Sequence, residues 1–124
     1  MPSSQGFRDS RVYQLAFKLV MEIYEESKKF PREELYSLTD QIRRASRSVP
    51  GNIGEGYRRR LYPKIFVNKM SEADGEGTET QVWIDFAYAC GYISAELQSR
   101  WRQGYEEVGR MLGSMIAHPE RFCQ

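Results

Sequence analysis

The residues best equipped to do chemistry in this chain are arginines. From Gln41 to Arg60 the sequence reads QIRRASRSVPGNIGEGYRRR, in which Arg43, Arg44, Arg47, Arg58, Arg59 and Arg60 face the single acid Glu55. The whole chain carries 18 Lys and Arg against 17 Asp and Glu, a formal net charge of +1. Charge is therefore sorted along the sequence, and the remainder is acidic. A planar guanidinium forks onto phosphate or carboxylate with two hydrogen bonds. Such a cluster can read a polyanion or meet an acidic protein face.

The two halves of the cluster differ. Arg43 and Arg47 are an i, i+4 pair on one helical face, with Arg44 beside them. Between Ser71 and Asp85 stand Glu72, Asp74, Glu76, Glu79 and Asp85 with no base. Arg43, Arg44, Arg47, Glu76 and Glu79 are thus candidates for ion pairs, within one subunit or across an interface; the plainer reading is a solvated acidic face. Arg58, Arg59 and Arg60 instead sit between Tyr57 and Tyr62, with Lys64 following. Bases at a helix end satisfy the last carbonyls and the dipole. Interleaved with tyrosine they also suit single-stranded nucleic acid, where bases stack on rings and cations neutralise phosphates. Tyr57, Arg58, Arg59, Arg60, Tyr62 and Lys64 are the candidate nucleic-acid-binding residues. The pI near 7.7 is lower than that of dedicated nucleic-acid binders.

Catalytic arrangements are missing from the sequence. The one histidine, His118, directly precedes Pro119. Glu76 and Glu79 lack the histidine partner that a carboxylate-bridged di-metal site on helices requires. Cys90 and Cys123 make no metal spacing and no disulfide framework. Cys90 is expected to be a small buried thiol, and Cys123 an incidental terminal one. No G-x-S-x-G, phosphate-loop or dinucleotide fingerprint occurs. The expectation is a non-enzyme with no cofactor and no metal. No run approaches the ~18 apolar residues of a membrane span, and the N-terminus has no signal-like apolar region. A cytoplasmic protein with no membrane contact is expected.

Helical periodicity must position these residues. Val12, Ala16, Leu19, Val20 and Ile23 form one stripe, closed by Phe30, and predict a helix over about 10–29. Pro31 ends it and opens a second helix behind Arg32, Glu33 and Glu34. Leu35, Leu38, Ile42, Ala45, Val49, Ile53 and Gly56 form the second stripe. It runs unbroken through Pro50-Gly51, which predicts one helix kinked at Pro50 and not a turn. From Pro63, the residues Phe66, Met70, Ala73, Gly77, Thr80, Ile84, Ala87 and Gly91 alternate at four and three, a heptad seam with a small centre. Some 29 residues there would make a long rod of about 43 Å. A fourth helix starts at the N-cap Ser94, carries Leu97, Trp101, Val108, Leu112, Met115 and Ile116, and stops at Pro119. Short links make neighbours antiparallel. The predicted fold is all-α, an antiparallel up-down-up-down four-helix bundle over 9–118, with loose tails at 1–8 and 119–124.

Several blocks carry a resemblance over nearly the whole chain. Phe7-Arg8-Asp9, Tyr13-Gln14-Leu15-Ala16, Phe30-Pro31 and the run from Leu38 to Ile53 are followed by Glu55-Gly56-Tyr57. Later come Ala73-Asp74, Glu76, Glu79-Thr80, Trp83, Asp85-Phe86-Ala87 and Tyr105 to Leu112. These resemble the four helix bundle protein family, also called the S23 or ribosomal RNA intervening-sequence protein family. The resemblance implies a left-handed antiparallel bundle assembled as a homo-oligomer, in known members a pentamer. Genes of this kind were first noticed in intervening sequences of bacterial large-subunit ribosomal RNA genes. A related accessory protein of diversity-generating retroelements binds nucleic acid and a reverse transcriptase, so RNA, DNA or such an enzyme is the implied partner. No catalytic residue carries over. This chain departs from the family in Gly75 and Gly77 on the third helix, where better helix formers are expected, and its near-neutral charge departs from the strongly basic retroelement group. Its aromatic inventory (Phe66, Trp83, Phe86, Tyr88, Tyr92 and Trp101) is generous for one small bundle and agrees with self-association. A protein–protein adaptor whose Arg clusters serve subunit contacts is the alternative expectation.

Overall fold

The structure, a computed structural model, describes residues 6–123. Among the described residues there are four α-helices and no strand: α1 (Arg11–Ser27), α2 (Leu38–Tyr57), α3 (Pro63–Ala89) and α4 (Ala95–Ala117). Short 3-10 turns lie at Phe7–Asp9, Arg32–Glu34 and Pro119–Arg121.

Helix starts follow capping chemistry. Ser10 accepts from the Tyr13 N–H at 3.3 Å and opens α1, and Ser94 accepts from the Leu97 N–H at 3.1 Å and opens α4. Pro63 takes the first position of α3, where its missing N–H costs nothing. The second helix begins later than the sequence predicts. Pro31 leads into a 3-10 turn, and the α-helix opens only at Leu38. Glu34 reaches forward to accept from the Leu38 N–H at 3.2 Å, so the acid caps the helix from outside. Leu35, expected on the buried stripe, is consequently 43% exposed. From Leu38 onward α2 is one helix that continues through Pro50, as the stripe predicts in place of a turn, with Val49, Pro50 and Ile53 all buried.

The predicted seam of α3 is the buried face of that helix from Phe66 to Ala87. Gly91 is the exception. It lies past the helix end at φ 81°, a left-handed conformation that glycine adopts without penalty. Its N–H bonds Tyr88 O at 2.9 Å and the Tyr92 N–H bonds Ala87 O at 2.8 Å, the paired closure of a Schellman cap. The seventh step of the heptad therefore terminates α3 and does not pack.

Side chains from all four helices meet in one core, with Ile23, Ile42, Phe66, Ile84, Trp101 and Leu112 fully buried. Polar side chains tie α4 to both α1 and α3. Arg11 meets Glu107 at 3.8 Å and Glu22 meets Arg100 at 2.8 Å. Gln81 donates to Glu106 at 3.0 Å, and Gln98 donates to Asp85 at 3.1 Å. The Trp101 indole N–H, inside the core, donates to Glu22 at 3.1 Å. Burial alone would raise the Glu22 pKa, but hydrogen bonds from Arg100 and Trp101 and the Arg100 charge outweigh it and hold the carboxyl below its usual range.

The segments expected as loose tails carry contacts. Residues 1–5 and 124 lie outside the described residues. Phe7 packs edge-on against Tyr13, with ring centroids 5.0 Å apart, and lies over Gly54 of α2. Phe122 stacks on Phe66 at 6.2 Å. Each aromatic ring removes apolar surface from water, and that gain is what holds these short turns against the helices.

Candidate functional site

Arg43 and Arg47 lean toward α1. The Arg43 guanidinium stands 4.9 Å from the Tyr24 ring centroid and donates from Nε to Ser27 Oγ at 2.8 Å. Arg47 is 5.8 Å from the same ring. Arg44 is exposed and pairs with Asp40 one turn back at 3.1 Å. The acids proposed as their partners are engaged elsewhere on α3. Glu79 accepts from the Trp83 indole N–H at 3.1 Å. Glu76 is half-buried; burial first, then the charges of Glu79 and Glu72, pushes its carboxyl above the usual range. Among the described residues no ion pair links Arg43, Arg44 or Arg47 to Glu76 or Glu79, because the cation–π contacts with Tyr24 draw two of the three arginines to the opposite neighbour.

The second cluster closes α2. Arg58 is the C-cap, and its N–H bonds Gly54 O at 3.2 Å. Arg58, Arg59, Tyr62 and Lys64 are exposed, whereas Tyr57 and Arg60 are half-buried. The Arg60 Nε–H donates to Tyr57 O at 3.0 Å and its guanidinium covers the Tyr57 ring at 4.9 Å. Tyr57 also meets Phe66 edge-on at 6.2 Å, so its ring is partly a packing group. Tyr62, 55% exposed, is the ring of the pair left open to solvent. Glu55, the one acid of the basic segment, is taken by Lys69 of α3 at 3.1 Å. It pairs with neither Arg58 nor Arg59. Among the described residues no carboxylate lies within ion-pair distance of Arg58, Arg59 or Lys64.

A residue the sequence reading missed joins this end of the molecule. Arg121, on the turn Pro119–Arg121, lines a polar pocket of about 550 Å³ with Tyr57, Arg58, Arg60, Leu61 and Phe122. Periodicity carries no signal for it, since it lies beyond a helix-ending proline. Only the docking of Phe122 on Phe66 brings it across.

The cysteines exchange their expected roles. Cys90 is exposed, because α3 ends before it and it lies off the seam. Cys123 packs against the core, and burial pushes its thiol up although the Arg60 charge pulls the other way. Cys123 therefore does not hold the lowered pKa of a reactive thiolate. His118 caps α4 and lies 3.5 Å from Glu120. No group of three His, Cys, Asp or Glu among the described residues is placed to hold a metal. No helix among them is long and apolar enough to cross a membrane.

Four helices around one core, with Arg58 and Arg59 exposed at the end of α2 and no described carboxylate within ion-pair distance of either, define a small all-α protein. The sequence matches the 23S rRNA-intervening sequence protein family over residues 8–114, and the chain belongs to that family. In structure it is similar to a protein of unknown function from the S23 ribosomal protein family of Bacteroides thetaiotaomicron, whose crystal structure is at 1.70 Å resolution. The two share 24% identity with a TM-score of 0.78, covering 88% of this chain and 97% of that one, a likeness of fold. No curated protein matches the chain.

Proposed function

We propose that this chain is a non-catalytic, self-associating helical bundle that binds nucleic acid, alone or held by a nucleic-acid enzyme such as a reverse transcriptase, through its basic end. The observation that carries the reading is the exposure of Arg58, Arg59 and Lys64 with no described carboxylate to neutralise them. Exposed guanidinium groups with no described carboxylate partner, Arg58 lying 5.8 Å from the Phe7 ring, favour phosphate contacts, and the open tyrosine beside them favours stacking. The family's name, which ties it to an intervening sequence of 23S rRNA, makes structured RNA the first probe.

The contacts between helices support an antiparallel up-down-up-down arrangement. Pro50 inside α2 removes one backbone donor and crowds the preceding turn, which favours a bend there. Self-association, with a pentamer as the expected form, is favoured by apolar surface outside the core. Phe17 and Met21 are 49% and 45% exposed, and Val82, Phe86 and Tyr88 on α3 are 45%, 52% and 44% exposed. The same surface favours the adaptor reading, in which subunit contacts use Arg43, Arg44 and Arg47 and no nucleic acid is bound. A cytoplasmic location is proposed with either.

The test compares wild type with the variant carrying Arg58→Ala, Arg59→Ala and Arg60→Ala on RNA and DNA pools at several salt concentrations. Each lost phosphate contact lowers the log–log salt slope by about 0.7–0.9. Equal binding by both proteins, or none at low salt, assigns these residues to a solvated helix end and leaves the adaptor. Light scattering tests the assembly: a 14.5 kDa monomer at micromolar concentration removes it.

A further inference from the structure

The pocket between the end of α2 and the turn Pro119–Arg121 has a different shape from the open arginine ridge. It is bounded on one side by Tyr57, Arg58, Arg60 and Leu61, and on the other by Arg121 and Phe122. Its volume, about 550 Å³, lies within the ~300–1,000 Å³ of small-ligand sites. A surface that tracks a strand is an extended groove with a contact at each nucleotide. A dent closed by a docked turn takes one group.

Three guanidinium groups line this dent. Arg60 is the fixed member, its Nε–H given to Tyr57 O and its plane held over the Tyr57 ring. Arg121 has Glu120 next to it in sequence, but that carboxylate is 3.5 Å from His118 Nδ1. Among the described residues neither Arg58 nor Arg121 has a carboxylate within ion-pair distance. The positive charge that Arg58 and Arg121 bring to a concave, polar site selects a small, highly charged anion. A phosphate diester inside a strand carries one charge. A terminal phosphate monoester has a second ionisation near pH 6 and carries close to two at neutral pH, with three acceptor oxygens. It offers the two guanidinium groups of Arg58 and Arg121 more charge and more acceptor oxygens than the diester does.

We propose that this pocket is a terminal-phosphate site, in which Arg58 and Arg121 clasp the phosphate monoester at the end of a nucleic-acid strand while Arg60 and Tyr57 form its wall. The proposal rests on the nucleic-acid reading above and adds Arg121, which that reading does not use. It also assigns a role to the Phe122–Phe66 stack: docking Phe122 holds Arg121 at the pocket.

The test uses one short single-stranded RNA in three forms: 5′-phosphate, 3′-phosphate and hydroxyl at both ends. Binding is followed by fluorescence anisotropy on the full chain. Inorganic phosphate is titrated separately against the arginine Nε–H resonances by NMR. In wild type, one phosphate-ended RNA should bind about tenfold more tightly than the hydroxyl-ended RNA. Arg121→Ala and Arg121→Lys should each remove that increment while leaving hydroxyl-ended binding nearly unchanged, since the ridge residues remain. Arg58→Ala should remove it too and also weaken the hydroxyl-ended RNA. Equal affinity of wild type for all three RNAs overturns the pocket and leaves the nucleic-acid reading standing. If no RNA binds but inorganic phosphate shifts Arg58 and Arg121, the pocket stands as a phosphate site and the nucleic-acid reading falls. If neither RNA nor phosphate is bound, both fail.

Discussion

The hydroxyl of Tyr92, in the turn after α3, donates to Glu34 Oε2 at 2.8 Å across 58 positions of sequence. The other oxygen of the same carboxylate accepts from the Leu38 N–H at 3.2 Å. One side chain thus caps α2 and ties its start to the α3–α4 turn. The bond from Tyr92, then that from Leu38, holds the Glu34 carboxyl below the ordinary value of 4.5. Glu34 in turn raises the Tyr92 phenol from 10.0 to about 12.

The first prediction concerns pH. Glu34 has a depressed folded pKa, so its contribution is present above the ordinary carboxylate value and lost as pH falls through the folded value. Tyr92 has a raised folded pKa, so its contribution is complete below 10.0 and lost only as pH rises through about 12. Tyr92→Phe should be less stable than wild type across neutral pH, with the difference narrowing in acid. Urea denaturation of both proteins at neutral and acid pH measures this. A difference that stays constant on acidification would remove the Tyr92–Glu34 bond from the account.

Two glycine substitutions should act in opposite directions. A Cβ at Gly56 would run into Met70 Cε, with Lys69 Cβ at 3.0 Å and Phe66 O at 3.7 Å, where α2 and α3 approach closely. Gly56→Ala should cost about 1–3 kcal/mol through overpacking. A Cβ at Gly75 meets nothing within 4 Å. Gly75→Ala should stabilise α3 by up to about 1 kcal/mol through helix propensity. Thermal unfolding of the two variants beside wild type decides the point, and a shared sign would refute the close approach.

The Tyr105 hydroxyl is buried with no hydrogen-bond partner among the described residues. Burial drives its phenol far above the usual value; Thr80, adjacent to it, opposes this weakly. The Thr80 hydroxyl gives its proton to Glu76 O at 2.8 Å and keeps lone pairs able to accept, but it does not lie in hydrogen-bonding geometry with Tyr105. Removing an unsatisfied buried hydroxyl while keeping the ring should relieve a desolvation cost. Tyr105→Phe is therefore expected to be neutral or to stabilise by about 1 kcal/mol, measured by chemical denaturation. A clear loss of stability would show that the hydroxyl finds a partner in solution.

Glu76 gives a second pH signature. Burial, then Glu79 and Glu72, raises its folded pKa, so the native state is penalised at neutral pH and recovers as pH falls through the folded value. Glu76→Gln should raise the melting temperature at neutral pH and lose that advantage near the ordinary value of 4.5. If an assembly partner instead supplies a cation to Glu76, the same substitution weakens the oligomer, which light scattering detects.

Legibility in the sequence followed periodicity. Val12 to Ile23, Ile42 to Ile53 and Phe66 to Ala87 repeat at helical spacing, and each stripe faces the core. Leu35 kept the spacing but not the structure, because the carboxylate of Glu34, the residue just before it, caps the Leu38 N–H and sets where α2 begins. Gly91 extended a heptad as a pattern of types, whereas its lack of a Cβ suited it to the helix end. The arginine ridge was visible as composition. Its pocket was not, since Arg121 reaches it only through the stacking of Phe122 on Phe66, a contact between chain segments far apart in sequence.

The spacing of the reversals has a kinetic consequence. Residues 58–62 link α2 to α3 and residues 90–94 link α3 to α4, and Gly91 closes the second link through local bonds alone. Such hairpins require little loop closure before their contacts form, which favours rapid folding. The first and last helices are the exception. Seating the Trp101 indole N–H on Glu22 at 3.1 Å joins segments 79 positions apart. That docking carries a larger loop-closure cost than either hairpin, and in a Trp83→Phe background the fluorescence of buried Trp101 would follow it.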